Sequence, residues 1–416
     1  MSDDDPFFQE WDARHPGDRR SLVRARLLSA QLGIQTIGLP VLTIVGSKGK
    51  GTAAAYASAY LSAAGCRVVT ITSPSYRSTR ERIRVDGRAI SSTELKTLAD
   101  RVATAVEQLP NRVAGMGYLA PSGLFIIAGV LHALSTKPDV IVLEAGRGGR
   151  SDEACLFPPT VVAVTPIFEE HIGELGASVL EIARDKASVI GPGTQAVLSA
   201  PQRDSVERVL RTTVAGLSNG QLEISLVTPH ASEVPVALLP AGLGVVNAEL
   251  GCLTAQRLLD GRELGRPATD DLHRTLSSVR LPGRLSWHQV PGTKSRLLLD
   301  QAVTRAGAAA ALAAAVSEQG GIDHVLLSLS DDKDLDGVIA ELAGMHVTFV
   351  QLNRSHLSFT RETPSHWTLI KEDELTVGRL AELGRVVAIG TFSFIASLLE
   401  LLNVDTDRLY APRAAD

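Results

Sequence analysis

Short, unbroken runs of valine, isoleucine and leucine recur along this chain, each followed by residues at helical spacing. VLTIV begins at Val41, CRVVTIT at Cys66, VIVLEAG at Val140, TVVAVTPI at Thr160 and QAVLSA at Gln195. Strands apolar on both faces and alternating with helices belong to a mostly parallel sheet covered on both sides, so the expected class is α/β. A second series follows: RLLLD, an alanine-rich helix at Ala306 to Ser317, HVLLSLS, a helix near Leu335 to Leu342, HVTFVQL and VVAIG. With 416 residues the chain exceeds what one core ordinarily holds, which argues for two domains.

Two Pro-Gly pairs in LPGRLSWHQVPGTKSR place the expected boundary near residue 290. The organisation predicted is a polar lead-in over 1–18, a large α/β domain over 19–290 and a smaller one over 291–416. SLVRARLLSAQLGI predicts a first helix, and the proline-broken segment from Ile224 to Gly244 a hairpin-bearing excursion before the helix VNAELGCLTAQRLLDG. The net charge of -5 gives no electrostatic reason to expect nucleic acid or an anionic membrane as partner. The acidic N-terminus lacks the apolar core of a secretory signal, and LFIIAGVLHAL stops well short of the ~20 residues that cross a bilayer. A cytoplasmic location is expected. Cys66, Cys155 and Cys252 are scattered without C-x-x-C spacing, as buried thiols in a reducing compartment would be.

Between the first strand and a small-residue helix stands GSKGKGT, Gly46 to Thr52. A loop at the carboxyl end of a strand, opening a helix, offers backbone N–H groups and the helix dipole to phosphate. Gly46, Gly49 and Gly51 let the backbone bend around the anion, with Ser47 and Lys48 between them; Lys50 can reach phosphate oxygens and Thr52 can ligate Mg²⁺. The spacing differs from the common phosphate loop, since a glycine separates Lys50 from Thr52. Glu144 ends a buried strand, where ligands of α/β sheets collect. Such a carboxylate can cap a helix or pair with a cation; beside a phosphate loop it is also a hard oxygen ligand for Mg²⁺. His171 follows another strand, and taken alone it reads as an ordinary polar histidine. Lys186, taken alone, reads as a solvated lysine on the polar face of a helix.

The form G-x-x-G-K-G-[ST] resembles the ATP loop of the Mur ligase superfamily, and its surroundings are most similar to folylpolyglutamate synthase and dihydrofolate synthase. The likeness runs from about Leu27 to Asp334: ITSPSYRSTRERIR, with Ser73, Glu81, Arg82 and Arg84 matching, LEAGRGGRSDEA, the block from Thr165 to Ile190, PGRL at Pro282 to Leu285, and DDKD at Asp331 to Asp334. The resemblance implies an N-terminal phosphate-loop ATPase domain and a smaller Rossmann-like C-terminal domain. It implies that Thr52, Ser73 and Glu144 surround one Mg²⁺, that His171 serves a second, and that Lys186 is carbamylated and helps to hold metal. It places Asn247 at adenine, Arg284 at phosphate and Asp300 at the nucleotide. From the residues alone, Asn247 could be a helix cap and Arg284 a surface ion pair.

The activity implied is ATP-dependent amide ligation. Joining a carboxylate to an amine needs a better leaving group than oxide, and phosphorylation by ATP provides it. Lys50, His171, Lys186 and Arg284 would carry the catalytic charge, acting on a small-molecule carboxylate and amine in a monomer or homodimer. Departures from the family pattern concentrate in segments expected to face substrate: Ser75 replaces histidine, Gly123 and Leu124 replace Phe-Glu, and Glu153, Ala154 and Cys155 replace Ala-Thr-Asn. In the C-terminal domain Val303, Thr304 and Arg305 replace His-Asn-Pro. Valine can neither donate nor accept as imidazole does, so these changes predict a non-folate substrate. The competing expectations are an ATP-binding scaffold or regulator without turnover, a true folylpolyglutamate or dihydrofolate synthase, and, less favoured, a phosphate-loop kinase.

Overall fold

The computed structural model describes residues 5–412 apart from 16, 111–115, 171, 229 and 355–356. The described chain forms two compact units. One comprises Met1–Pro240, Val245–Arg280 and Asp407–Asp416, the other Ala241–Gly244 and Leu281–Thr406. The division falls ten residues before the boundary expected at 290, because PGRL belongs to the second unit and the strand after it to the second sheet. The expected 291–416 domain also loses its end, since the last segment returns to the first unit.

Among the described residues the first unit contains an eight-stranded sheet, formed in chain order by β1 (Val41–Val45), β2 (Val68–Ile71), β3 (Ile83–Val85), β4 (Arg88–Ala89), β5 (Val140–Glu144), β6 (Val161–Val164), β7 (Ala196–Ser199) and β8 (Ile224–Leu226). Their spatial order is β4-β3-β2-β5-β1-β6-β7-β8, parallel from β2 to β8 and antiparallel at the β2-β3-β4 edge. β1 and β5 are buried at every position, as their uninterrupted apolar sequences require. Since β5 and β6 flank β1 on opposite sides, the loop after β1 opens at the reversal of strand order, where α/β sheets collect ligands.

The helix Lys50–Ala63 follows that loop and is buried along nearly its whole length. Its alanines and serines let a second helix, Gly244–Asp260, come close: a Cβ on Gly251 would strike the Ala53 carbonyl. Residues 224–244 contain no hairpin among those described. β8 joins the sheet as a parallel edge, and a short 3₁₀ turn, Val236–Leu238, follows. Pro235 and Pro240 cannot donate to a ladder, which removes the second strand a hairpin would need.

The expected lead-in is also more structured than its polarity suggests. Asp5–Asp12 is a helix; Phe7 is buried and stacks on Phe125 with ring centroids 4.2 Å apart, while Glu10 accepts the Leu119 N–H at 2.8 Å. At the other end, Ala89 donates to the Asp407 carbonyl (2.8 Å), Leu409 to Gly87 (2.8 Å) and Arg280 to Leu409 (2.7 Å), and Tyr410 is fully buried.

The second unit holds, among the described residues, a six-stranded sheet of β9 (Ser286–Gln289), β10 (Arg296–Asp300), β11 (His324–Ser328), β12 (Val347–Gln351), β13 (Thr368–Lys371) and β14 (Val386–Gly390). The order is β13-β12-β11-β14-β10-β9, all parallel except the β9–β10 pair. The helix Arg305–Gln319 buries Ala308, Ala311, Leu312 and Ala315 in this unit's core.

Candidate active site

The loop Gly46 to Gly49 owes its course to two left-handed glycines and to contacts that side chains would block. Gly46 has φ 140° and a Cβ there would collide with Thr165; Gly49 has φ 88° and a Cβ would collide with the Asn247 amide. Ser47 fastens the loop to the segment after β6: its N–H donates to the Pro166 carbonyl (3.0 Å), and its hydroxyl donates to the Phe168 carbonyl and accepts the Phe168 N–H, both at 3.2 Å. Lys48 is exposed and Thr52 is buried in the first turn of the following helix. Asn247 lies inside Gly244–Asp260 rather than capping it, and its side-chain amide borders the loop at Gly49.

Two lysines converge on one carbonyl. Lys50 Nζ donates to Gly46 O at 3.1 Å and to Ser47 O at 3.4 Å, and Lys186 Nζ donates to Gly46 O at 2.7 Å. The solvated position expected of Lys186 is not observed: the side chain is 1% exposed and pairs with Glu170 at 3.0 Å. Burial, with the Lys50 charge beside it, lowers its ammonium to about 8, and Glu170 acts in the opposite direction. The sequence held a signal for Glu170, an acid beside His171 just beyond a strand, but nothing to join it to a lysine sixteen residues on. His171 lies outside the described residues.

Glu144, at the end of β5, accepts the Ser73 N–H at 3.2 Å, and its carboxylate oxygen lies 3.7 Å from where a Cβ on Gly51 would stand. Glu144, Ser73 and the loop therefore meet at adjacent strand ends. No cluster of three or more His, Cys, Asp or Glu residues poised for a metal occurs among the described residues. One carboxylate with hydroxyl and loop oxygens is nevertheless a donor set that suits Mg²⁺, which keeps waters and takes the rest of its ligands from phosphates. Glu81, matched in the sequence but given no role there, builds the neighbouring segment by accepting the N–H groups of Tyr76, Arg77 and Ser78 at 2.8–3.0 Å. Asp185 likewise receives the N–H groups of Gly149 (2.9 Å) and Ser151 (3.1 Å) after β5.

The departures from the family pattern have local partners. Ser75 Oγ accepts from Arg82 Nε at 3.3 Å. Gly123 leaves the space that the Glu153 carboxylate fills, and Arg20 joins Glu153 to Asp152. Burial raises the Glu153 carboxyl above the ordinary range, with Arg20 opposing. In the second unit Val303 packs against the core, Thr304 caps Arg305–Gln319 by accepting the Gly307 N–H at 3.3 Å, and the Arg305 N–H reaches Asp334 at 3.0 Å. Asp300, at the end of β10, supports the turn that carries Arg284: the Leu285 N–H donates to Asp300 Oδ2 at 2.8 Å. Asp331 accepts from Ser358, Thr360 and Arg361, and Asp334 caps the next helix, so these two acids of DDKD shape loops.

No family model matches the chain. It is 29% identical over 375 residues to the dihydrofolate synthase/folylpolyglutamate synthase of Mycobacterium tuberculosis, covering 80% of this chain and 74% of that protein. A probable bifunctional folylpolyglutamate synthase/dihydropteroate synthase of Haloferax volcanii is 30% identical over 348 residues, which span 79% of this chain but only 41% of that protein. The fold is similar to that of Mycobacterium tuberculosis folylpolyglutamate synthase complexed with ADP and AMPPCP, with a TM-score of 0.77 at 20% identity, covering 93% of this chain and 96% of that one. No helix among the described residues is long and apolar enough to cross a membrane. With its phosphate loop, two α/β units and similarity along most of its length, the chain is similar in sequence to the folylpolyglutamate synthase/dihydrofolate synthase group of ATP-dependent carbon–nitrogen ligases, and its fold is similar to that of a solved folylpolyglutamate synthase.

Proposed function

We propose that this chain uses ATP to phosphorylate the carboxylate of a folate-type acid and condenses the acyl phosphate with glutamate. The observation that carries the proposal is the meeting of the Gly46–Thr52 loop, the Glu144 carboxylate and Ser73 at the reversal of strand order. The substitutions at Val303 and Thr304 argued for a non-folate acid, but the relatives described above are folate synthases by name, and they favour the folate pair. Both substituted residues also have structural work in the second unit, which accounts for them without a new substrate.

In this mechanism the loop N–H groups and Lys50 would hold the nucleotide phosphates, and Asn247, beside Gly49, would contact adenine. Lys50, now resting on Gly46 and Ser47 carbonyls, would turn to the phosphate when ATP binds. Arg284 and Asp300 would serve the nucleotide, as the resemblance implies. Thr52, Ser73 and Glu144 would hold Mg²⁺, which when bound neutralises phosphate charge. His171 and a carbamylated Lys186 would serve a second metal. A carbamate would set an anion beside Glu170, so that form is favoured only with a cation present.

The test is ADP formation with dihydropteroate and glutamate, each omitted in turn, with mass spectrometry of the product. Turnover that needs both and yields their amide supports the proposal. Amide formation only with other carboxylates or amines would remove the folate assignment, ATP binding without turnover would indicate a scaffold, and a stable phosphorylated product a kinase.

A further inference from the structure

The turn that carries Arg284 is held by a chain of hydrogen bonds that no reaction role explains. Gly283 has φ 72° and Leu285, with a side chain in the same left-handed region, φ 45°. That conformation costs a leucine about 1 kcal/mol, so the turn needs external support. Part of it is backbone: Arg284 N–H to Leu281 O at 3.0 Å and Gln301 N–H to Gly283 O at 3.1 Å. Another part is Asp300, which receives the Leu285 N–H.

The remaining support comes from β9. The Gly283 N–H donates to Ser286 Oγ at 2.7 Å, and Ser286 Oγ stands 2.7 Å from His288 Nε2. Ser286 and His288 are two apart on one strand and so point to the same face, paired across the ladder with Leu299 and Leu297. Between them Trp287 points the other way, packs against the second unit's core and stacks under Arg296 at 4.7 Å. Burial lowers His288 to about 4, so its ring is neutral near pH 7. A neutral ring accepts at Nε2 when the proton is on Nδ1, which leaves the Ser286 hydroxyl to donate to the ring while accepting from Gly283. One hydroxyl thus joins a strand histidine to the glycine before Arg284.

We propose that His288 and Ser286 are positioning residues for Arg284, setting the turn that presents its guanidinium to phosphate. The proposal rests on the assignment of Arg284 to the nucleotide. His288 touches neither substrate nor the reacting atoms; it acts through Ser286 and the Gly283 N–H.

The experiment compares Arg284→Ala, Ser286→Ala, His288→Leu, His288→Gln and the double variant Arg284→Ala/His288→Leu in the full chain, by ADP formation with dihydropteroate and glutamate. Loss of a transition-state charge contact costs roughly 10²-fold in kcat, expected for Arg284→Ala. Ser286→Ala and His288→Leu are expected to lower kcat about tenfold with KM for ATP within about twofold, the signature of a misplaced rather than missing group. In His288→Gln the amide oxygen can replace Nε2 as acceptor, and most of the rate returns. The double variant is no slower than Arg284→Ala alone, because the histidine has nothing left to position. Full kcat in Ser286→Ala and His288→Leu beside an inactive Arg284→Ala overturns the proposal and leaves Arg284 in place. Full activity in Arg284→Ala overturns the assignment on which it rests. Equal losses in His288→Leu and His288→Gln, or a loss confined to melting temperature, mark a purely structural pair and also overturn it. Ser286→Ala removes a single hydroxyl and keeps the test intact if the leucine variant fails to fold.

Discussion

The Lys186 ammonium lies 2.7 Å from the Gly46 carbonyl, 140 residues earlier in the chain. A charged donor to a backbone carbonyl is worth about 1.5–3 kcal/mol, and this one fixes the first residue of the phosphate loop. Lys186→Ala is therefore expected to weaken ATP binding by roughly ten- to a hundredfold. Calorimetric titration with ATP measures it; an unchanged Kd would show that the loop keeps its shape without this strut.

The same lysine has a pH signature. Its folded-state value of about 8 lies below the ordinary 10.5, so between those values the unfolded chain binds more protons and the contribution of this group to stability rises with pH. The free amine needed for carbamylation appears through the lower end of that window. With ¹³C-bicarbonate, a carbamate signal absent from Lys186→Met is expected to grow as pH passes about 8. Identical spectra from the two proteins would exclude the modification.

Gly123 and Glu153 compete for one volume. Gly123→Ala should destabilise the protein by about 1–3 kcal/mol, since its Cβ meets the Glu153 carboxylate. In a Glu153→Ala background the same change fills free space in a helix and should be neutral or stabilise by up to ~1 kcal/mol. Urea denaturation of the four proteins gives the coupling energy. Additive effects would mean that the carboxylate moves aside at no cost.

Phe7→Ala, in the segment whose polarity predicted a lead-in, should cost about 3–5 kcal/mol through loss of the Phe125 stack and the space left behind. Chemical denaturation tests this, and a change below about 1 kcal/mol would return the helix to a surface role.

The strands around the phosphate loop were legible because parallel strands are apolar on both faces, and VLTIV and VIVLE state this in consecutive letters. Gly46 and Gly49 were legible because few residues besides glycine tolerate such a loop, whereas Gly51 sits in the first turn of the helix with room for a Cβ. The burial of Lys186 was not legible because it depends on Glu170 and on a carbonyl distant in sequence, and neither leaves a periodic trace. The burial of Phe7 was not legible for the same reason: the ring it stacks on lies 118 positions away, and only tertiary structure brings them together. The hairpin anticipated after Ile224 followed local proline punctuation, whereas the partner strand β7 had already been laid down.

The return of Asp407–Asp416 to the first unit bears on the order in which the protein can be completed. Domains generally form as the chain leaves the ribosome, earliest segments first. Here the hydrogen-bonding partners of Gly87, Ala89 and Arg280, and the buried Tyr410, are translated only after the second unit. The first unit is thus closed by residues that are made after the second, and the nucleotide-loop scaffold stays unsealed until the whole second unit has been made.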